Sequence, residues 1–539
     1  MRGLAVLVAL VATAPAQAAT VDLPFTASDG VRLQATLSGA APIGPRPTIV
    51  EFSPYGRNSQ TVTPSQDYNL LLVQIRGTGD SSGSFDALGP RTQQDVAEVL
   101  GWACAQSWSN GTLGLNGFSA SAITIYNSLH LPLPCVKAAV LKSGTHELYR
   151  DLIYPGGVNN LVPDAGVMAL IGAPAISQNP ARPDMLAGLF ATGFNGLTHS
   201  ALDDYWRERG IRGDVNHLPI LMIDGFFDVE SRGAFQAFQQ LRGDGAHLEV
   251  VGAHDSAPKG TDGGAADTQA WFDRYLRGAA NGIDAQPRVK LWLADGDRED
   301  DLAGHFVRYD GSDWPVPGTR WRSLKLGPGG TLTRTRPTRT ATESYPQIPS
   351  LTTNSDPYNT AIAGSAGLNA LTTALPVLSD MTVAQQLGRS YTTTPLKADL
   401  LSAGPASLDV RLSSTAPQTN IWAVICDVWP NGTPHPMAAG RLSSDFPGID
   451  PDRSLRDPRT GAIVQPYGRY DRPRPATPLS PRRYRVELWP IGNRFRAGHR
   501  IGLTLLGASG ASKQSPPGVD SITVGGRRGA RLYLPVLPG

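Results

Sequence analysis

The residue pattern predicts two structural classes in one chain, an α/β domain on a parallel sheet and then an all-β domain. Three observations carry this. Apolar runs of strand length alternate with helical patterns between about residues 46 and 285. One block, residues 146 to 214, interrupts that alternation. After about residue 286 strand-like runs dominate and helices nearly vanish.

The size fits. A chain of 539 residues is long enough for about three domains. Its 59 glycines and 45 prolines indicate many turns. The formal charge of +2 gives no reason to expect nucleic acid as a partner.

Each element has its own signal. Residues 1 to 18 read as a signal peptide, with Arg2, an apolar centre "LAVLVALVAT" and the small-residue site "AQA". Cleavage is expected after Ala18, so the mature protein is expected to be secreted or extracytoplasmic. The competing reading, a membrane anchor, is disfavoured because the run is too short for ~30 Å of hydrocarbon. No later stretch is apolar enough, so no membrane span is expected after signal removal.

The α/β domain is expected over 19–145 and 215–285. "FTASDGVRLQATL" has an Asp-Gly turn between extended runs and reads as a hairpin. "PTIVEF", "NLLLVQI", "GTLGLNGF", "KAAVLKS", "LPILMIDGFFD" and "HLEVVGA" read as strands of a parallel sheet. "RTQQDVAEVLGWACAQ", residues 120 to 130, "RGAFQAFQQLR" and "DTQAWFDRYLRG" read as helices. Residues 146–214 read as a helical cap inserted over the sheet's C-terminal edge. Residues 286–539 read as a jelly-roll β-sandwich that opens with "RVKLWLA".

Three cysteines are present, Cys104, Cys135 and Cys426. The first two flank the helix that follows "NGFSAS". They form either a disulfide or, with Cys426, a set of buried thiols. Their spacings suit no zinc site, and no metal or cofactor is expected.

The chemistry centres on "NGFSAS", residues 116 to 121. A serine between small residues at a strand-to-helix corner is either a plain turn residue or an exposed nucleophile. In the second case the next N–H faces the developing oxyanion. Gly117 and Ser119 fit G-x-S-x-G, while Ser121 replaces the second glycine. A serine nucleophile needs a base and an orienting acid. Asp228, or Asp224, follows one strand and His254 follows the next. That order places all three at C-terminal strand ends. His146 is the nearest rival for the base.

These motifs resemble the cocaine esterase and X-prolyl dipeptidyl peptidase family of α/β-hydrolase serine hydrolases. "SPYGR" (53–57) is similar to its oxyanion motif and "IRGTGDSSGSF" (75–85) to its glycine-rich loop. "DGFFD" is similar to its acid motif, and "YTTTPL" and "FRAGHRIGLTL" to its C-terminal jelly roll. The resemblance implies Ser119 as nucleophile, His254 as base and Asp228 as orienting acid. It also implies an oxyanion hole made by the Tyr55 hydroxyl and the Ala120 N–H. The sequence departs from the family pattern at Ala120, Ser121 and Ala122, at "GAHDS", and at Gln74, where the family has aspartate.

The expected activity is hydrolysis of small-molecule esters, amides or peptides through an acyl-enzyme. The alternatives are an X-prolyl dipeptidyl peptidase and a catalytically inactive binding protein. A peptidase must hold the substrate ammonium, and Glu147, Asp151, Asp203 and Asp204 are the cap carboxylates on offer. The sequence leaves the oligomeric state open.

Overall fold

A computed structural model describes residues 18–57, 67–160, 188, 196–215, 217–251, 263–296, 305–348, 356–358, 380–507 and 512–538. His254, cap residues 161–187 and 189–195, and all of the expected leader except Ala18 lie outside the described residues.

The first ten strands are β1 (Ala18–Thr26), β2 (Arg32–Ala40), β3 (Arg46–Ser53), β4 (Asn69–Gln74), β5 (Ser109–Phe118), β6 (Val136–Lys142), β7 (Ile220–Asp224), β8 (His247–Val250), β9 (Val289–Leu293) and β10 (Val307–Gly311). They form one sheet in the order β1-β2-β4-β3-β5-β6-β7-β8-β9-β10. From β4 to β9 every neighbouring pair is parallel, while β1, β2 and β10 join antiparallel.

Alternation along these strands fills both faces. Val50, Phe52, Leu113, Leu115, Leu141 and Met222 point into the larger core. That face is covered by helices α1 (Pro90–Cys104), α2 (Ala120–Ser128) and, beyond a short α3 (Asp204–Arg207), α4 (Ser231–Leu241). Ile49, Leu70, Val140, Leu221 and Ile223 point the other way, onto Trp271, Phe272 and Leu276 of α5 (Ala265–Arg277). Two buried faces explain why the strands read as continuous apolar runs. Cys104 closes α1, Cys135 precedes β6, and the two are joined as a disulfide with Cα atoms 6.0 Å apart. Cys426 is free and buried.

One strand pairs differently from expectation. "RVKLWLA" joins the first sheet rather than the second. As β9 it lies parallel to β8, and β10 extends the same sheet. Its strand character was legible, but its pairing partner depends on where the chain returns.

The remaining strands are β11 (Arg320–Gly327), β12 (Thr331–Thr333), β13 (Ala341–Gln347), β14 (Arg389–Thr392), β15 (Leu400–Ser414), β16 (Asn420–Val428), β17 (Pro434–Ser443), β18 (Ile449–Arg456), β19 (Ile463–Gly468), β20 (Arg482–Phe495), β21 (Arg500–Leu506), β22 (Gly518–Val524) and β23 (Arg531–Val536). All but β18 and β19, which pair as a hairpin, belong to a second sheet. On β16, Ile421, Ala423 and Ile425 join the main core, while Trp422, Val424 and Cys426 enter a separate cluster with Trp489.

The two domains meet beside the end of β7. Ala294 exchanges backbone hydrogen bonds with Gly492 and Arg494. A methyl on Gly492 would lie 2.2 Å from the Phe226 ring, so β20 packs its bare backbone against the loop after β7. Among the described residues no helix is long and apolar enough to cross a membrane.

Candidate active site

Ser119 sits between β5 and α2 with φ 55° and ψ −126°. That region is costly for a residue with a side chain, and such strain persists only where the surroundings over-determine it. Here the Ser119 N–H donates to Lys142 O at 2.9 Å and the Ile123 N–H to Ser119 O at 3.0 Å. Tight packing enforces the corner. A methyl on Gly117 would lie 2.7 Å from the Ala122 backbone, and one on Gly144 would lie 2.6 Å from the Ala122 methyl. Small residues are therefore required on both sides of the serine. Ser121 fits as a buried side chain.

Tyr55 follows β3, its own N–H bound to Ser53 Oγ at 3.1 Å. Its hydroxyl oxygen accepts the Ala120 N–H at 3.4 Å. Two potential donors, one phenolic and one backbone, thus stand side by side next to Ser119. An anion held between them would receive both hydrogen bonds.

The glycine-rich loop after β4 is held rigid. Arg76 pairs with Asp95 of α1 through two bonds of 2.6 and 2.7 Å. Gln74 accepts the Asp80 N–H at 2.8 Å, and Asp80 accepts from Arg57 at 2.8 Å. Asp80, itself held by Gln74, thus ties this loop to the segment carrying Tyr55.

Asp224 and Asp228 differ in environment. Asp224 ends β7, and its carboxylate accepts the Gly225 N–H at 2.6 Å. Burial pushes its pKa well above the carboxylate range, and the charge of neighbouring Asp228 adds to the rise. Both effects disfavour the charged form of Asp224. Asp228 is fully buried in the following loop, where its Oδ1 accepts the Glu230 N–H at 3.2 Å. His254, three positions past Val251, is outside the described residues.

The rival histidine is committed elsewhere. His146 Nδ1 lies 2.7 Å from Asp151, which also pairs with Arg232. Arg232 then reaches Glu487 of β20 at 3.1 Å. Burial opposes the charge on Asp151, but the His146 ring and Arg232 outweigh it and hold its carboxyl low. Of the other cap carboxylates, Glu147 bonds Arg150 at 3.0 Å and Asp204 bonds Arg207 at 2.8 Å. Asp203 caps α3 through the Trp206 N–H. Sequence reasoning passed over Glu230, a buried carboxylate two residues beyond Asp228; burial of this kind leaves no local signal. Among the described residues no three His, Cys, Asp or Glu side chains converge to hold a metal ion.

Comparison with known proteins accords with this geometry. Residues 29–254 match the X-Pro dipeptidyl-peptidase (S15 family) model. Residues 281–529 match the model of the X-Pro dipeptidyl-peptidase C-terminal non-catalytic domain. The chain is 24% identical to the cocaine esterase of Rhodococcus sp. (strain MB1 Bresler) over 475 residues, which cover 75% of this chain and 79% of that protein. A CocE/NonD family hydrolase from Staphylococcus aureus superposes with a TM-score of 0.78 at 19% identity, covering 99% of both chains. An α-amino-acid ester hydrolase superposes with a TM-score of 0.74 at 17% identity, covering 99% of this chain and 98% of that one. With two adjoining family models and a curated relative in agreement, this chain belongs to the cocaine esterase and X-Pro dipeptidyl-peptidase family of serine hydrolases.

Proposed function

We propose that this protein is an exported esterase that cleaves acyl esters through a Ser-His-Asp acyl-enzyme. The observation that carries the proposal is the strained Ser119 corner beside the Ala120 N–H and the Tyr55 hydroxyl, which lie 3.4 Å apart. In this reading Ser119 Oγ attacks the ester carbonyl and His254 takes its proton. The oxyanion is held by Tyr55 and Ala120. His254 then protonates the leaving alcohol as the C–O bond breaks. Water, activated by the same imidazole, attacks the acyl-serine and releases the acid. Asp228 orients the imidazole, and Asp224, whose charged form burial disfavours, supports Asp228 without competing for the role. The leader over 1–18, cleaved after Ala18, exports the chain. Residues 146–214 cap the site and the second sheet is a jelly roll.

An ester without an amine is favoured because the four cap carboxylates singled out from the sequence already have partners, Glu147 with Arg150, Asp151 with Arg232, Asp203 with Trp206 and Asp204 with Arg207. A buried ammonium left unpaired is costly. The dipeptidyl-peptidase reading draws on one observation, the buried Glu230 carboxylate beside Asp228.

The test compares kcat/KM for p-nitrophenyl butyrate with that for free and N-acetylated Ala-Pro anilides. The butyrate ester should be cleaved at least as well as the free anilide, and acetylation should matter little. A strong preference for the free amine would replace the esterase with the peptidase.

A further inference from the structure

We propose that the outer face of the second sheet binds an acidic polysaccharide, whose uronate carboxylates lie along two joined arginine-lined clefts. This site is independent of the hydrolytic one.

The first cleft, about 390 Å³, is lined by Arg411, Arg483, Arg527, Arg528 and Arg531 around one carboxylate, Asp409. The second, about 710 Å³, is lined by Arg320, Arg322, Lys325, Arg334 and Arg459, and no carboxylate lines it among the described residues. Strand register joins them. Lys325 of β11 is the cross-strand partner of Arg531 of β23, and Arg531 is the partner of Asp409 of β15. Arg411 in turn faces Arg483 of β20. Cross-strand partners share a face, so Lys325, Arg531, Arg411 and Arg483 form one basic face across four strands, while Arg320 and Arg322, which alternate with Lys325 along β11, line the second cleft from the strand's other face. The β18–β19 hairpin, with Arg459 in its turn, borders this face.

So much like charge on a nearly neutral chain is unfavourable unless an anion comes to it. The groups register that cost. Burial and the neighbouring Arg531, Arg336 and Arg334 lower the Lys325 pKa. Arg531 Nε is buried and finds no hydrogen-bond partner among the described residues.

Arginine rather than lysine dominates, and its planar fork matches a carboxylate with two parallel bonds. The cleft already contains one such clamp. Arg483 Nε holds Asp409 Oδ1 at 2.7 Å while its Nη2 holds Oδ2. Aromatic surface stands on the same face. Tyr533 of β23 partners Ser407 and Ser323, and Trp321 lines the second cleft. Both rings are partly exposed, suited to lie against the apolar face of a sugar ring. A membrane fits less well, because none of the exposed large apolar side chains belongs to either cleft.

The experiment measures binding of the mature protein to polygalacturonate by affinity gel electrophoresis and calorimetry at low salt. Neutral dextran, linear polyphosphate and phosphatidylglycerol vesicles are the comparisons. Polygalacturonate should retard the protein, dextran should not, and added salt should weaken the complex. The exposed-turn double variant Arg527→Glu/Arg528→Glu should bind at least 10-fold more weakly, and Tyr533→Ala severalfold more weakly. Both should keep unchanged kcat/KM on p-nitrophenyl butyrate. Arg411→Gln provides a milder substitution with the same expected direction. The proposal is overturned if wild-type protein is not retarded or if the arginine variants bind as well as wild type. It is equally overturned if polyphosphate or vesicles bind more tightly than polygalacturonate.

Discussion

At the scale of the residue, function rests on placing groups where charge develops. In the proposed mechanism Tyr55 acts through one hydroxyl, 3.4 Å from the Ala120 N–H. Tyr55→Phe keeps the ring and removes the donor, so kcat should fall about 10²- to 10³-fold with KM little changed. Steady-state kinetics on one ester checks this, and an unaltered kcat would make the tyrosine a packing residue. The two neighbouring carboxyls give a second contrast. Asp228→Asn should lower kcat about 10⁴-fold, because an amide cannot hold the imidazole in its working tautomer. Asp224→Asn replaces a group whose charged form burial and Asp228 already disfavour, so its loss should stay within about 10-fold. Equal losses would mean that the carboxyls act as a unit, and the reverse order would exchange their roles. These assignments were unequally legible. Ser119 announced itself through small neighbours at a strand-to-helix corner. Tyr55 was indistinguishable from a core tyrosine except through the family resemblance. Asp224 and Glu230 owe their character to burial, which no local pattern records.

At the scale of the element, the loop after β7, which carries the proposed acid Asp228, is where the two domains meet. Phe226 precedes Asp228 by two positions, and its ring fills the space a side chain at Gly492 would need. Gly492→Ala should push β20 and this loop apart. It should destabilise the protein by about 1–3 kcal/mol, as overpacking does, and lower kcat at least 10-fold at temperatures where the fold persists. Gly44→Ala is the control, since a methyl there meets nothing within 4 Å. Thermal melts read beside kinetics separate the two effects. If Gly492→Ala loses stability with kcat intact, the second domain does not position the acid. Strands such as β3, β4, β7 and β8 were readable as apolar runs because both their faces are buried, and α1 and α5 were readable because each buries one face. The network from His146 through Asp151 and Arg232 to Glu487 was not readable. Its partners lie 5, 81 and 255 residues apart in sequence.

For the whole molecule, class and order of domains followed from composition along the chain, but one assembly rule did not. β9 and β10 have the strand character of the second domain and the sheet membership of the first. Periodicity reports that a segment is extended and does not report its neighbour. The assembled molecule brings a strained serine, two potential donors and a buried acid to one edge of a ten-stranded sheet, with a second domain braced against the acid loop. Its central claim is that Ser119 is the nucleophile. The most direct measurement treats wild-type protein and Ser119→Ala with a fluorophosphonate, locates the adduct by peptide mass mapping, and compares ester turnover. Wild type should carry a single adduct on Ser119. The variant should carry none and lose turnover by a factor on the order of 10⁶, with an unchanged melting profile. An adduct on another serine, or near wild-type turnover in a folded Ser119→Ala protein, would contradict the account.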